Sequence, residues 1–212
     1  MLLGAFFVIV FVAVFAAVML GGMWSNTITL INFILAGLIA TNYFEPFADY
    51  LDKNAPSFTY AWDFIAIWIL FALTMIILRA ATDYLSQVKV RFFLPVEKVG
   101  GIVMAIWVSW LAVCFTAATM HTAPLARHFL GGDFQPAPDS KMFFGLAPDR
   151  MWLAWMYKES SGTLSRFGGA RPFDGRGDFI VKYSNRRGEF EDQVTFTKAG
   201  SKAGANPGRP EG

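Results

Sequence analysis

Between Val99 and Met120 the chain carries no charged side chain, and a charged pair, Glu97-Lys98, stands directly before that run. At about 1.5 Å of helical rise per residue, some twenty uncharged residues cover the roughly 30 Å hydrocarbon core of a bilayer. Pro95–Met120 therefore reads as a membrane helix. Gly100, Gly101 and Ala105 lie near its start, and small residues at such spacing let a neighbouring helix approach closely.

Three more stretches have the same character. Residues 2–20 are apolar apart from Gly4. They lack the basic leader and small-x-small site of a cleaved signal peptide, which favours a retained first helix. Ala13, Ala17 and Gly21 give it one smooth side. Gly21-Gly22 then predicts a turn with Asn26 as N-cap. Residues 27–44 form a second, more polar span, in which Asn32 is expected to face other helices because an amide in hydrocarbon needs a partner. Pro46 and Pro56 punctuate an expected loop over 45–60, whose aromatic residues suit a membrane–water interface. The third span is expected over 60–78, with Asp63 in its first turn. That carboxylate is either favoured by the helix dipole within reach of interfacial water or a buried proton or cation ligand. Residues 79–93 read as an interfacial amphipathic helix.

Charge distribution separates this part from the rest. Residues 1–120 hold five Lys/Arg and six Asp/Glu of the 18 and 16 in the whole chain, so most charges follow His121. The 55% hydrophobic content and mean hydropathy of +0.42 exceed those of ordinary soluble domains. A net charge of +2 gives no basis for a nucleic-acid partner. Cys114, the single cysteine, excludes an intrachain disulfide and reads as a small packing residue. Four basic residues (Arg79, Lys89, Arg91, Lys98) flank the expected third loop, against Lys53 in the preceding one. The positive-inside rule places the former in the cytoplasm and both termini in the periplasm.

After the membrane, 121–140 is a Pro/Gly-rich connector. Pro148, Asp149 and Gly162 bracket a helix near 148–160. Its apolar side (Trp152, Leu153, Trp155, Met156) suits a membrane surface, a partner or a small local core. Residues 163–177 read as loop, and Phe179–Tyr183 as a short strand or the opening of a helix. Arg186-Arg187 and the acidic residues after them read as a solvated face, and 197–212 as a disordered tail.

No pattern for catalysis emerges. The chain has no phosphate-binding glycine loop, nucleophile elbow or zinc-protease motif. His121 and His128, with Asp133, fall short of a metal site because Pro124 interrupts their register. No enzyme activity, catalytic residue, cofactor or metal is expected. Asn32, Asp63 and Ser109 are the candidate intramembrane polar sites.

Two stretches carry a resemblance. Gly22-Met23-Trp24-Ser25-Asn26-Thr27-Ile28-Thr29-Leu30, continued by Phe33 to Tyr43, is similar to the second span of the colicin V production protein (CvpA) family. Val96-Glu97-Lys98-Val99-Gly100-Gly101-x-x-x-Ala105 resembles that family's Asp-Arg-x-x-Gly-x-x-x-Gly entry into its fourth span. Here Glu97 replaces the aspartate, Ala105 the second glycine, and neutral Ser25-Asn26 a charged pair. The resemblance marks Gly22, Glu97, Lys98, Gly100, Gly101 and Ala105 as family-motif and helix-packing residues. It implies a multi-pass protein of the bacterial inner membrane, non-enzymatic, serving toxin (colicin V) production or export and envelope homeostasis by packing with copies of itself or other membrane proteins. A small channel or transporter subunit is the alternative, and a protease or binding module in the tail a third. The expected architecture is an all-α membrane protein, with four transmembrane helices over 1–120 (2–20, 27–44, 60–78, 99–120) and a small, loop-rich extramembrane segment over 121–196.

Overall fold

A computed structural model describes residues 2–86, 93–125, 130, 143, 145–161 and 173–191. Every regular element among them is helical: α1 (Leu2–Val18), α2 (Gly22–Asn54), α3 (Trp62–Leu85), α4 (Leu94–Met120), α5 (Pro148–Ser161) and α6 (Phe179–Glu191). Residues 163–172 of the loop expected over 163–177, the tail at 197–212, His128 and Asp133 lie outside the described residues.

Among the described residues three helical stretches, not four, are long and apolar enough to cross a membrane: Leu2–Asn54, Trp62–Leu85 and Leu94–Met120. The first two expected spans merge because no loop separates them. A three-residue 3-10 turn, Met19–Gly21, joins α1 directly to α2. Gly22 then reverses the chain with φ 74° and ψ 169°, a conformation that side-chain-bearing residues rarely adopt. Leu3 and Phe7 pack with Val113, Ala117 and Met120 near the end of α4, whereas Gly22 and Met23 abut Gly101 near its start. α1 thus runs antiparallel to α4. α2 runs parallel to it, with Phe33 against Phe115 at a ring separation of 6.1 Å.

The second difference lies at Pro46. α2 continues through it to Asn54 instead of ending in a loop at 45. A proline inside a helix removes one backbone hydrogen bond, and packing on both sides of it offsets the loss. Phe44 and Ala48, flanking Pro46, are buried in the main core with Phe179 and Tyr183 of α6. α3 runs on to Leu85, so the helix expected over 79–93 continues the third span without a break over 79–85, while 87–92 lie outside the described residues.

α4 organises the bundle. Gly101, Ala105, Val108 and Ala112 bury one stripe, and from Ala112 to Met120 every residue is buried because α1, α2 and α5 surround it. An aromatic cluster fills the centre: Phe115 lies 4.4 Å from Phe71 and 5.2 Å from both Trp68 and Trp152, by ring centroids. The smooth side of α1 is not a packing face, since Ala13 and Ala17 are exposed.

The C-terminal part is more than a loop-rich appendage. Pro148 opens α5, and Trp152, Leu153 and Met156 are buried in the same core as Phe33 and Phe115. Of the three roles open to this apolar side, the structure places it in the core. Trp152 inserts at Gly37, where an added Cβ would come within 2.4 Å of the indole ring. Phe179–Tyr183 belongs to helix α6 rather than a strand.

Candidate functional site

The residues singled out by sequence fall into two groups. Gly22, Glu97 and Gly101, distant in the chain, converge where the α1–α2 reversal crosses the first turns of α4. A Cβ on Gly101 would lie 3.3 Å from the Met23 backbone nitrogen, and one on Gly22 would lie 3.2 Å from Glu97 Oε1. Asn26 is not an N-cap. It is buried inside α2 and its side-chain amide donates to the Gly101 carbonyl at 2.9 Å. Two helices thus meet backbone to backbone, tied by a buried amide. Gly100 faces the flexible Met23 side chain, Ala105 is fully buried, and Lys98 is exposed. The small-residue face of α4 packs against the start of α2 within the subunit.

Asn32, Asp63 and Ser109 do not converge. Ser109 donates to the Ala105 carbonyl of its own helix at 2.7 Å. Asn32 is buried and donates to Thr82 of α3 at 3.0 Å. It belongs to a polar seam between α2 and α3: the Arg79 guanidinium donates to Thr29 at 3.0 Å, to Ser25 at 3.4 Å and to Asp83 at 3.0 Å, and the Trp24 indole donates to Ser86 at 3.0 Å. Sequence reasoning missed this seam. Its signal was present in Ser25, Thr29 and Asn32, which recur at helical period on one side of α2.

Asp63 is buried and paired within the protein. Its side chain is 10% exposed and pairs with Arg186 of α6, which also donates to the Thr59 carbonyl at 2.5 Å. Arg186-Arg187 is thus not a solvated face: Arg187 is buried, and Arg186 closes the start of α3. Lys182 pairs with Glu45 at 2.6 Å, a second link from α6 to the membrane helices. Tyr183 is buried beside Asp63. Burial and the Asp63 and Glu45 carboxylates push its phenol up, so it stays protonated. No pairing spaced this far along the chain can be read from periodicity.

His121, just past α4, is buried and lies 3.0 Å from the Asp149 carboxylate in the first turn of α5. Burial pushes its pKa below the ordinary 6.5 and outweighs Asp149, which pulls it up, while Arg187 and Arg150 push it down. The folded protein therefore binds this proton less readily than the unfolded chain. Its contribution to stability is present above about pH 6.5 and is lost as pH falls from there towards the folded pKa. Thermal unfolding in detergent is expected to shift downward between pH 7 and 5, and His121→Leu to flatten that dependence; identical slopes would refute it.

Among the described residues no group of three or more His, Cys, Asp or Glu gathers as a metal site. Asn26, Asn32 and Asp63 each tie one helix to another.

Long apolar helices folded around a half-buried α4 define a helical membrane protein. This chain belongs to the colicin V production protein family, whose model matches residues 3–134. No curated protein and no protein of solved structure matches it.

Proposed function

We propose that this protein is a non-catalytic, multi-pass inner-membrane component that supports toxin production or export, or envelope homeostasis, by packing with other membrane proteins. Family membership supplies the class of process. The observation that carries the non-catalytic, non-conducting reading is that Asn26, Asn32, Ser109 and Asp63 each have a partner inside the protein. An intramembrane pathway needs polar groups that face one another across a cavity. With the Gly101 face used internally, outward contacts fall to the exposed apolar side of α3, at Leu73, Ile76 and Ile77.

The reading includes four crossings, because α1 and α2 run in opposite directions on α4. It places the Arg79–Lys98 end in the cytoplasm and both termini in the periplasm, following the excess of basic residues there. Cysteine accessibility at Ser86 and Asn54 in spheroplasts tests the orientation: reagent reaching Ser86 alone would reverse it. The role is tested by crosslinking in native membranes followed by purification. A defined hetero-complex that Ile76→Arg abolishes is expected. A bare protein that conducts ions in liposomes would replace this reading with the channel alternative.

A further inference from the structure

A cleft opens between the second half of α2 and the start of α6, and its lining changes character along α2. Leu35, Leu38 and Ile39 come first, with Leu35 and Ile39 37% and 40% exposed one turn apart. Glu45 follows, held by Lys182 of α6 at 2.6 Å. At the helical rise Leu35 lies about 20 Å along α2 from the reversal at Gly22 and Glu45 about 35 Å, on either side of the limit of a roughly 30 Å hydrocarbon core. The cleft therefore joins the acyl-chain layer of the bilayer to the headgroup layer.

The stretch leading into α6 adds Asp174, Arg176 and Asp178 to the lining. Asp174 accepts from the Phe179 amide at 3.0 Å, and Phe179 is one helical turn from Lys182, so this stretch lies at the headgroup end. Lys182 is engaged by Glu45, and neither Asp174 nor Asp178 has an ion pair among the described residues. Burial and the neighbouring Asp178 carboxylate push the Asp174 carboxyl up from its ordinary range, so this corner lacks a cation. Arg176, between them in the chain, is exposed and also without an ion pair among the described residues. An occupant that satisfies all three carries an ammonium, an anion close to it and an apolar body. We propose that the cleft is a phospholipid site selective for an ethanolamine headgroup: the ammonium sits against Asp174 and Asp178, the phosphate faces Arg176, and an acyl chain follows Leu35 and Ile39. Charge-assisted hydrogen bonds to both headgroup charges hold it there. A glycerol headgroup offers the same phosphate and chains but no cation for the two carboxylates.

The test places p-benzoylphenylalanine at Ile39, in the cleft, or at Ile9, which is 66% exposed on α1. The full chain is irradiated in vesicles of equal phosphatidylethanolamine and phosphatidylglycerol, and adducts are read by mass spectrometry. The expected result is a phosphatidylethanolamine-to-phosphatidylglycerol adduct ratio about fivefold higher at 39 than at 9. Asp178→Asn, which leaves Asp174 capping the Phe179 amide, should bring the ratio at 39 down to the value at 9 while adducts persist. Equal ratios at the two positions before that change would mean surrounding lipid only. A ratio at 39 favouring phosphatidylglycerol would mean an anion site, held by Arg176 or a bound metal ion. Enrichment that Asp178→Asn leaves untouched would place the ammonium elsewhere. Crosslinks at 39 to protein in place of lipid would assign the cleft to a second copy or another part of this chain. Each of these four results overturns the proposal.

Discussion

Trp152→Ala is expected to destabilise the folded protein by about 3–5 kcal/mol, the range for emptying a large aromatic site in a packed core. Trp152 is 2% exposed, its indole fills the space over Gly37, and its ring packs edge-on to Phe33 and Phe115. The reciprocal change, Gly37→Leu, should displace the same indole, because even a Cβ there would come within 2.4 Å of it. Thermal unfolding in detergent reads the loss. Limited proteolysis assigns it: both variants should expose the 145–161 region to cleavage while leaving α1–α4 protected. If Trp152→Ala melts within about a degree of wild type, α5 does not belong to the core.

Asp63→Asn comes next in size. It leaves the Arg186 guanidinium facing a neutral amide, and breaking a buried pair from one side usually costs about 3–5 kcal/mol. The Arg186 side chain keeps 29% of its exposure, so screening reduces the expected loss to about 2–3 kcal/mol. Arg186→Met should cost a similar amount by stranding Asp63. The double variant should recover part of the sum, since neither charge is then left unpaired. Strict additivity of the two single changes would show that they do not act on one another.

Both effects concern the C-terminal part, and that is where the sequence was least legible. The limits of α5 followed from Pro148 and Asp149, and its apolar side from the spacing of Trp152, Leu153 and Met156. What that side packs against did not, because complementary surfaces such as Trp152 and Gly37 leave no periodic trace. Arg186-Arg187 reads as surface under any local rule, and only α6 lying over the start of α3 makes it a partner for Asp63. Pro46 shows the opposite error. Its local meaning is a helix end, yet Phe44 and Ala48 are buried on either side of it and the helix persists.

In the membrane part, the reading from residues to helices was nearly sufficient. A backbone in hydrocarbon must satisfy its own hydrogen bonds, so an uncharged run of membrane length has few structures open to it, and the all-helical class follows from composition. The reversal at Gly21-Gly22 was visible as a pair of glycines. That it needs no loop was not, because the break is a matter of two dihedral angles at Gly22.

From the residues alone followed the helical class, the start of α3, the end of α4 and membership in a family through the stretches around Gly22 and Glu97-Lys98-Val99-Gly100-Gly101. These depend on local hydrophobicity and on residue types at short spacing. Only the folded chain shows that those two stretches touch, that Gly101 serves the interior of this subunit, and that Asp63 belongs to Arg186. Each is a contact between residues far apart in the chain, set by how helices cross rather than by what any one of them contains.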